Sequence, residues 1–340
     1  MQLSNTWKAT VGLMIGAILC LPAQAAAEKK IIMRYSHSSA AMVEEPHHTA
    51  ALDFKKYVEE KTKGRVEVQI YPASQLGGEE RAFQDVQQGI LQMTVLAVNN
   101  ASIFAPSLGA FDLPYIFKSV KEFDDCVDQN WDLINKRMEA ESGTIAIAWH
   151  SQGFRFITNS KQPVAKLADL APVKIRTPNN PIMIGVYRAW GTDPVPMAMD
   201  ETFNALQQKV VDGQDNPLVS IATNRFYEVQ KYITEAHYTY QLQPMILSQR
   251  AFKKMSPEMQ ALITDAGRGA QEYCLAFQLV EGVRAKQRLI ESGVQIDQLE
   301  DEADWRNAAI AQVWPEMETF VGGRAAINAF LSAIGKKPWK

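Results

Sequence analysis

Hydrophobic positions along the chain alternate between two periods. "KIIMRYSH" (30–37) and "QMTVLAV" (92–98) are short apolar runs of strand length, the second breaking at Asn99-Asn100, and "RVEVQIYP" (65–72) alternates apolar with polar residues as a half-exposed strand does. Between them, "HHTAALDFKKYVEEKTKG" (47–64) and "EERAFQDVQQGI" (79–90) carry apolar residues at helical spacing, the first closed by Gly64. Strand and helix in alternation predict a doubly wound α/β lobe. A second set begins near Gly153, with strands at "RFITN" (155–159), "VKIRTP" (173–178) and "DPVPM" (193–197), and with a helix that opens on Asp200-Glu201 and runs through Leu206.

The first lobe's alternation is expected to resume around 232–252, so the chain passes between the lobes more than once and the hinge consists of several strands rather than a linker. The division that follows is lobe I at 28–152 with about 243–280, lobe II at 153–242 with about 281–320, and a terminal tail or helix at 321–340. One helical pattern is far longer than the others. From Pro257 to about Ser292, Met259, Ile263, Ala266, Ala270, Phe277 and Leu289 recur at helical spacing. At 1.5 Å per residue this helix is roughly 50 Å long, more than one lobe's width, and is expected to brace both.

The front of the chain changes the setting. Residues 1–25 carry one charge, Lys8, then an apolar run from Val11 to Leu21, Pro22 and the small-x-small pattern Ala23-Gln24-Ala25, the layout of a secretory signal peptide cleaved after Ala25 or Ala27. The apolar run is too short to span a bilayer. Export to the periplasm without a lipid anchor is expected, because Leu19 before Cys20 is not the small residue that a lipid-attachment signal requires.

Removal of that segment leaves 34 basic against 38 acidic side chains, a net charge of -4, which gives no footing for nucleic acid. Cys126 and Cys274 remain, either as a disulfide or, the blander and favoured reading, as two separately buried thiols. Cysteines and histidines are too few and too scattered to predict a zinc site, and the adjacent His47 and His48 point in different directions on a helix. No metal and no cofactor is expected. Gly77-Gly78 before Glu79-Glu80 is not a phosphate loop, since no "GK[ST]" follows and carboxylates repel phosphate. The chain has no G-x-S-x-G elbow, no H-E-x-x-H and no G-x-G-x-x-G between strand and helix. Trp149 and His150 end the strand "TIAIAWH"; a core tryptophan and a hydrogen-bonded histidine are expected there.

The chemistry that stands out is an arginine. Arg176 follows Val173, Lys174 and Ile175 on a short run that stops at Pro178, so its guanidinium is expected where a strand meets a crevice. A planar fork of donors with permanent charge fits a carboxylate with two parallel hydrogen bonds. "ALQQKVVDGQDNP" (205–217) places Asn216 at a comparable position, although an asparagine before a proline often does no more than cap a turn.

"YPASQLGGEERAFQDVQQGILQM" (71–93), "LGAFDLPYIF" (108–117), "GFRFITNSKQPV" (153–164), "VKIRTP" and "ALQQKVVDGQDNPL", in this order behind a signal peptide, resemble the solute-receptor subunit of tripartite ATP-independent periplasmic (TRAP) transporters, the DctP-like family, from about residue 30 to 320. The resemblance implies two α/β lobes that close over one small organic acid, a dicarboxylate, a sugar acid or a 2-oxo acid, and a monomer that delivers it to integral membrane TRAP subunits driven by an ion gradient. It implies that Arg176 forms the main salt bridge to the ligand, that Arg155 assists or else braces the hinge through an acidic neighbour, and that Asn216 touches ligand. It also implies a polar group from Asn99 or Asn100, and Glu79 near the cleft. The chain departs from the family at Ala171-Pro172, at Gln208-Lys209, and at Met199, where many members carry an aromatic ring. A receptor for an ATP-driven importer, a receptor for a membrane sensor and a secreted enzyme are the alternatives, the enzyme being the weakest.

Overall fold

The computed structural model describes residues 30–339; the predicted signal peptide lies outside them. In chain order the first part contains β1 (Ile31–His37), α1 (Pro46–Lys61), β2 (Val66–Tyr71), α2 (Glu79–Gln88), β3 (Met93–Val95), α3 (Val98–Ala101), α4 (Val120–Ser142) and β4 (Thr144–Phe154), with a 3-10 turn at Pro106–Asp112. Next come β5 (Phe156–Asn159), α5 (Leu167–Leu170), β6 (Ile175–Thr177), α6 (Pro181–Ala189), β7 (Pro194–Pro196), α7 (Met199–Gln207), β8 (Gly213–Asn216) and α8 (Leu218–Thr223). The last part contains β9 (Tyr232–Glu235), β10 (Tyr240–Ser248), α9 (Gln249–Phe252), α10 (Pro257–Glu291), β11 (Gln295–Gln298), α11 (Glu302–Met317) and α12 (Arg324–Ala333).

Two sheets result, each the centre of one lobe. The first has the order β2-β1-β3-β10-β4, parallel except for β10, which runs antiparallel to both its neighbours. The second has the order β11-β9-β5-β8-β6-β7, with β5 antiparallel to β8 and β9. Strand β9 belongs to the second sheet and the chain returns to the first at Tyr240, within the stretch 232–252 and close to the boundary at about 243 set out above.

The sheets are joined side by side at two strand crossings. One is the single residue Arg155 between β4 and β5, and the other is 236–239 between β9 and β10. They are tied together by the Arg155 N–H, which donates to the Thr239 carbonyl at 3.1 Å. Gly153, at φ +88°, turns the chain just before the first crossing, a left-handed conformation that side chains rarely adopt.

The long helix α10 begins as its sequence dictates: Ser256 caps it by accepting from the Met259 N–H at 3.3 Å, Pro257 holds the first position and Glu258 lies in the first turn, where the helix dipole favours negative charge. It packs on α1 and β4 in the first lobe and on α8 in the second. Helix α11 packs on α6 of the second lobe, and α12 returns to α4 of the first. Among the described residues no helix is long and apolar enough to cross a membrane.

Helix α10 lies so close to β4 that a Cβ on Gly267 would sit 2.4 Å from the Ile147 carbonyl oxygen. Backbone cannot yield as a flexible side chain does, so Gly267→Ala is expected to destabilise the protein by roughly 1–3 kcal/mol. Urea unfolding of the two proteins checks this, and an unchanged midpoint would mean that the helix does not approach so closely.

Candidate functional site

The ends of β6 and β8 from one lobe face the turn after β1 and the start of α2 and α3 from the other, with Arg155 of the first crossing, Gln152 of β4 and Gln241 and Gln243 of β10 between them. The cavity between them measures about 430 Å³, counting the space open at its mouth, and is lined by Glu79, Asn99, Asn100, Arg155, Arg176 and Asn216 together with Ser38, Ser39, Gln152, Met199, Ser220, Asn224, Gln241 and Gln243. All five residues singled out as site candidates, Arg176, Arg155, Asn216, Asn99 and Glu79, thus meet at one cavity. Their arrangement differs from one to the next.

Arg176 is 2% exposed, and its Nε and Nη2 donate to the Met197 carbonyl at 3.0 and 2.6 Å. That carbonyl is brought there by the parallel pairing of β6 with β7. No carboxylate of the described residues lies within ion-pair distance of the guanidinium, and Nη1 has no hydrogen-bond partner among them. Burial, then the neighbouring Arg155, pushes its pKa down to about 10, which still leaves the group charged at neutral pH.

Arg155 sits in the opposite situation. Its Nε reaches Asp215 Oδ2 at 2.6 Å and its Nη2 reaches Oδ1 at 3.0 Å, a two-pronged pair between residues 2% and 0% exposed. Its Nη1 donates to Gln241, and the Tyr238 hydroxyl donates to Asp215 at 2.5 Å. Burial opposes the charge on Arg155, but the Asp215 carboxylate outweighs it and holds the guanidinium above its ordinary range. The hinge-bracing alternative considered for this arginine is therefore present in the geometry, with Asp215 as the acidic neighbour.

Asn216 donates from Nδ2 to Gln214 Oε1 at 2.6 Å and approaches the Met199 sulfur at 3.7 Å. Asn99 is 1% exposed, and its Oδ1 has no partner among the described residues. Glu79, in the first turn of α2, has both oxygens engaged: Oε1 accepts from Ser38, and Oε2 accepts from the Ala97 N–H at 3.0 Å and from Asn100 Nδ2 at 2.6 Å. It holds the lobe I rim in shape.

Several site residues escaped the sequence reading. Gln241 and Gln243 lie two apart on β10 and share one face; a polar pair at period two inside an apolar run was the available signal. Asn180 caps α6 by accepting from the Met183 N–H, while its Nδ2 reaches across to the Asn99 carbonyl at 2.7 Å and Ser102 Oγ at 3.0 Å, fastening one lobe to the other. Cys126 and Cys274 are buried free thiols, on α4 and α10. Trp149 is a core residue as expected, but His150 is not hydrogen-bonded as expected: neither ring nitrogen has a partner among the described residues. The expectation that histidine and cysteine do not cluster also fails, since the fold brings His47, His150 and Cys274 together from α1, β4 and α10.

This geometry belongs to a known group. Residues 37–319 match the profile of the bacterial extracellular solute-binding proteins, family 7. The chain is a member of that family. It is 34% identical over 263 residues to a solute-binding protein of Verminephrobacter eiseniae, covering 76% of this chain and 77% of the relative. It is 26% identical over 288 residues to the 2,3-diketo-L-gulonate-binding periplasmic protein of Escherichia coli, covering 84% and 86%. Among solved structures, a sugar acid binding protein from Advenella mimigardefordensis in complex with galactonate superposes with a TM-score of 0.85 at 27% identity, over 90% of this chain and 98% of the other. A TRAP periplasmic solute-binding protein from Rhodobacter sphaeroides in an apo, open and partially disordered form superposes with a TM-score of 0.75 at 35% identity, over 90% and 99%. The family is one of solute receptors, not of enzymes.

Replacing Asp215 by Asn leaves Arg155 buried without its counter-charge, so a loss of about 3–5 kcal/mol of stability is expected. Chemical denaturation monitored by tryptophan fluorescence checks it; a loss below about 1 kcal/mol would mean that the pair is not shielded from water.

Proposed function

We propose that this chain is the exported receptor of a TRAP transporter and that it captures an open-chain sugar acid, holding the carboxylate on Arg176. The observation that carries this reading is a buried fork of donors at the cavity wall whose charge no described carboxylate matches. A carboxylate arriving there accepts from Nη1 and from the remaining N–H of Nη2, in a site where little water weakens the attraction. Asn216 and Asn99 add amide groups on either side, and Arg155 contributes its positive field from the hinge while its fork stays on Asp215.

The rest of the lining favours the sugar acids over a dicarboxylate or a 2-oxo acid. Seven side-chain amides and three serine hydroxyls face the cavity, groups that both donate and accept and so pair well with a row of hydroxyls. Among the described residues no second unmatched cation lines the cavity to receive a second carboxylate. The lining contains no aromatic ring, and Met199 stands where many members carry one, so the flat stacking face that suits a closed sugar ring is missing. An extended aldonate needs no such face. Relatives bound to galactonate, from Advenella mimigardefordensis, and to D-erythronate, from a Polaromonas species at 29% identity with a TM-score of 0.82, support the same ligand class.

Capture works by differential binding. The open form presents each half of the site to water, whereas the closed form alone lets one ligand touch Arg176 and Asn216 from one lobe and Asn99 from the other. The described form has the closing contacts of Asn180 on Asn99 and Ser102, and of Thr223 on Glu45 at 2.9 Å. It also superposes better on the galactonate-bound relative than on the open one, although the open one is closer in sequence. Cleavage of residues 1–25, a monomeric receptor and delivery to membrane subunits driven by an ion gradient complete the reading; the family's periplasmic members support it.

Titration calorimetry with galactonate and erythronate, beside galacturonate and succinate, tests the ligand class: the first two are expected to bind, the others at least tenfold more weakly. Absence of heat with any aldonate and binding of succinate would overturn it. Arg176→Lys keeps the charge but loses the planar fork, and is expected to weaken aldonate binding by about 2 kcal/mol or more, roughly 30-fold. Equal affinity in the two proteins would remove Arg176 from the site.

A further inference from the structure

Behind the lobe I wall of the cleft lies a second polar cluster that solute capture does not use. His47 at the start of α1, His150 on β4 and Cys274 in the middle of α10 each present one donor atom, and these atoms lie within 4.8 Å of one another. All three residues are 0% exposed. The two imidazole rings are stacked, with centroids 5.5 Å apart and planes 12° from parallel. Buried polar atoms nearly always find a partner. Here Nδ1 and Nε2 of His150 and Nε2 of His47 have none among the described residues. A neutral imidazole carries one N–H and one lone pair, so His150 leaves a donor and an acceptor unmatched at once.

We propose that His47, His150 and Cys274 form a buried binding site for a divalent transition-metal ion of the zinc type. Two imidazoles and a thiolate are donors that such an ion takes, whereas calcium and magnesium take oxygens. Bonds of about 2.0–2.3 Å set tetrahedral donors roughly 3.5 Å apart, so the three side chains draw together on binding. The Cys274 proton leaves to solvent as the bond from Sγ to the metal forms.

The surroundings are those of a ligating histidine. His47 Nδ1 lies 3.4 Å from Glu45 Oε1, 3.0 Å from Gln152 Nε2 and 3.4 Å from Ser39 Oγ, whereas its Nε2 has no partner among the described residues. A carboxylate behind such a ring orients it and raises its basicity. Glu45 Oε2 in turn accepts from Thr223, and Gln152 Oε1 accepts from Ser220 at 3.4 Å, both on α8 of the other lobe. Because Gln152 and Ser39 line the solute cavity, an open cleft gives an ion its route to the site.

The test uses the purified protein with any affinity tag removed, stripped with a chelator and titrated with zinc(II) or cobalt(II) chloride. One equivalent of metal per chain is expected after gel filtration, with cobalt giving the near-ultraviolet charge-transfer band of a thiolate ligand. Cys274→Ala is expected to abolish that band and weaken zinc binding at least 100-fold while aldonate binding persists, and His150→Gln to do the same. The wild-type cobalt spectrum decides the matter even if a variant fails to fold. No stoichiometric uptake, or uptake without the thiolate band, would overturn the proposal; the latter would move the ion to a cysteine-free site such as the His37–His48 pair, whose Nε2 and Nδ1 atoms lie 3.2 Å apart.

Discussion

Two guanidinium groups lie buried in one cleft, and the carboxylate of Asp215 grips only one of them. Removing a charge from water costs several kcal/mol unless an opposite charge replaces the lost hydration. At Arg155 that replacement is built into the fold: the two-pronged pair with Asp215 ties the residue between β4 and β5 to β8, at the point where the chain changes sheets. At Arg176 it is left to a carbonyl oxygen and to whatever enters the cavity. The first arginine is matched within the fold, and the second is not matched by any described carboxylate.

The remaining lining follows from the same division. Glu79 is close enough to influence Arg176, but its oxygens are taken by Ser38, Asn100 and the Ala97 N–H, which makes it part of a rigid rim rather than a competitor for the guanidinium. Amides dominate elsewhere because an amide is neutral and can both donate and accept, so it recognises hydroxyls without disturbing the charge balance. Asn180 shows how cheaply a closure contact can be added: the residue that caps α6 also reaches the Asn99 carbonyl of the opposite lobe.

The bracing helix connects this cleft to the cluster behind it. Helix α10 carries Gly267 against β4, Cys274 beside His47 and His150, and Gln278, whose Nε2 donates to the Gln152 carbonyl at 3.1 Å. Three successive segments of one helix thus touch the sheet, the histidine pair and the strand that enters the hinge.

Local pattern alone determined the elements: the run from Pro257 onward, capped by Ser256, is helical because its apolar residues recur at that spacing, and Arg176 lies in a short strand that ends at Thr177 because Pro178 stops it. Ordered motifs likewise named Arg176, Arg155, Asn216, Asn99 and Glu79 as cavity residues. Tertiary structure decided the rest. Whether an arginine faces ligand or a carboxylate depends on which strand lies beside it, and nothing near Arg155 in the chain announces Asp215, sixty residues away. His47, His150 and Cys274 are far apart in sequence, so no spacing could reveal them; only the packing of α1 on α10 and of α10 on β4 brings their donor atoms together.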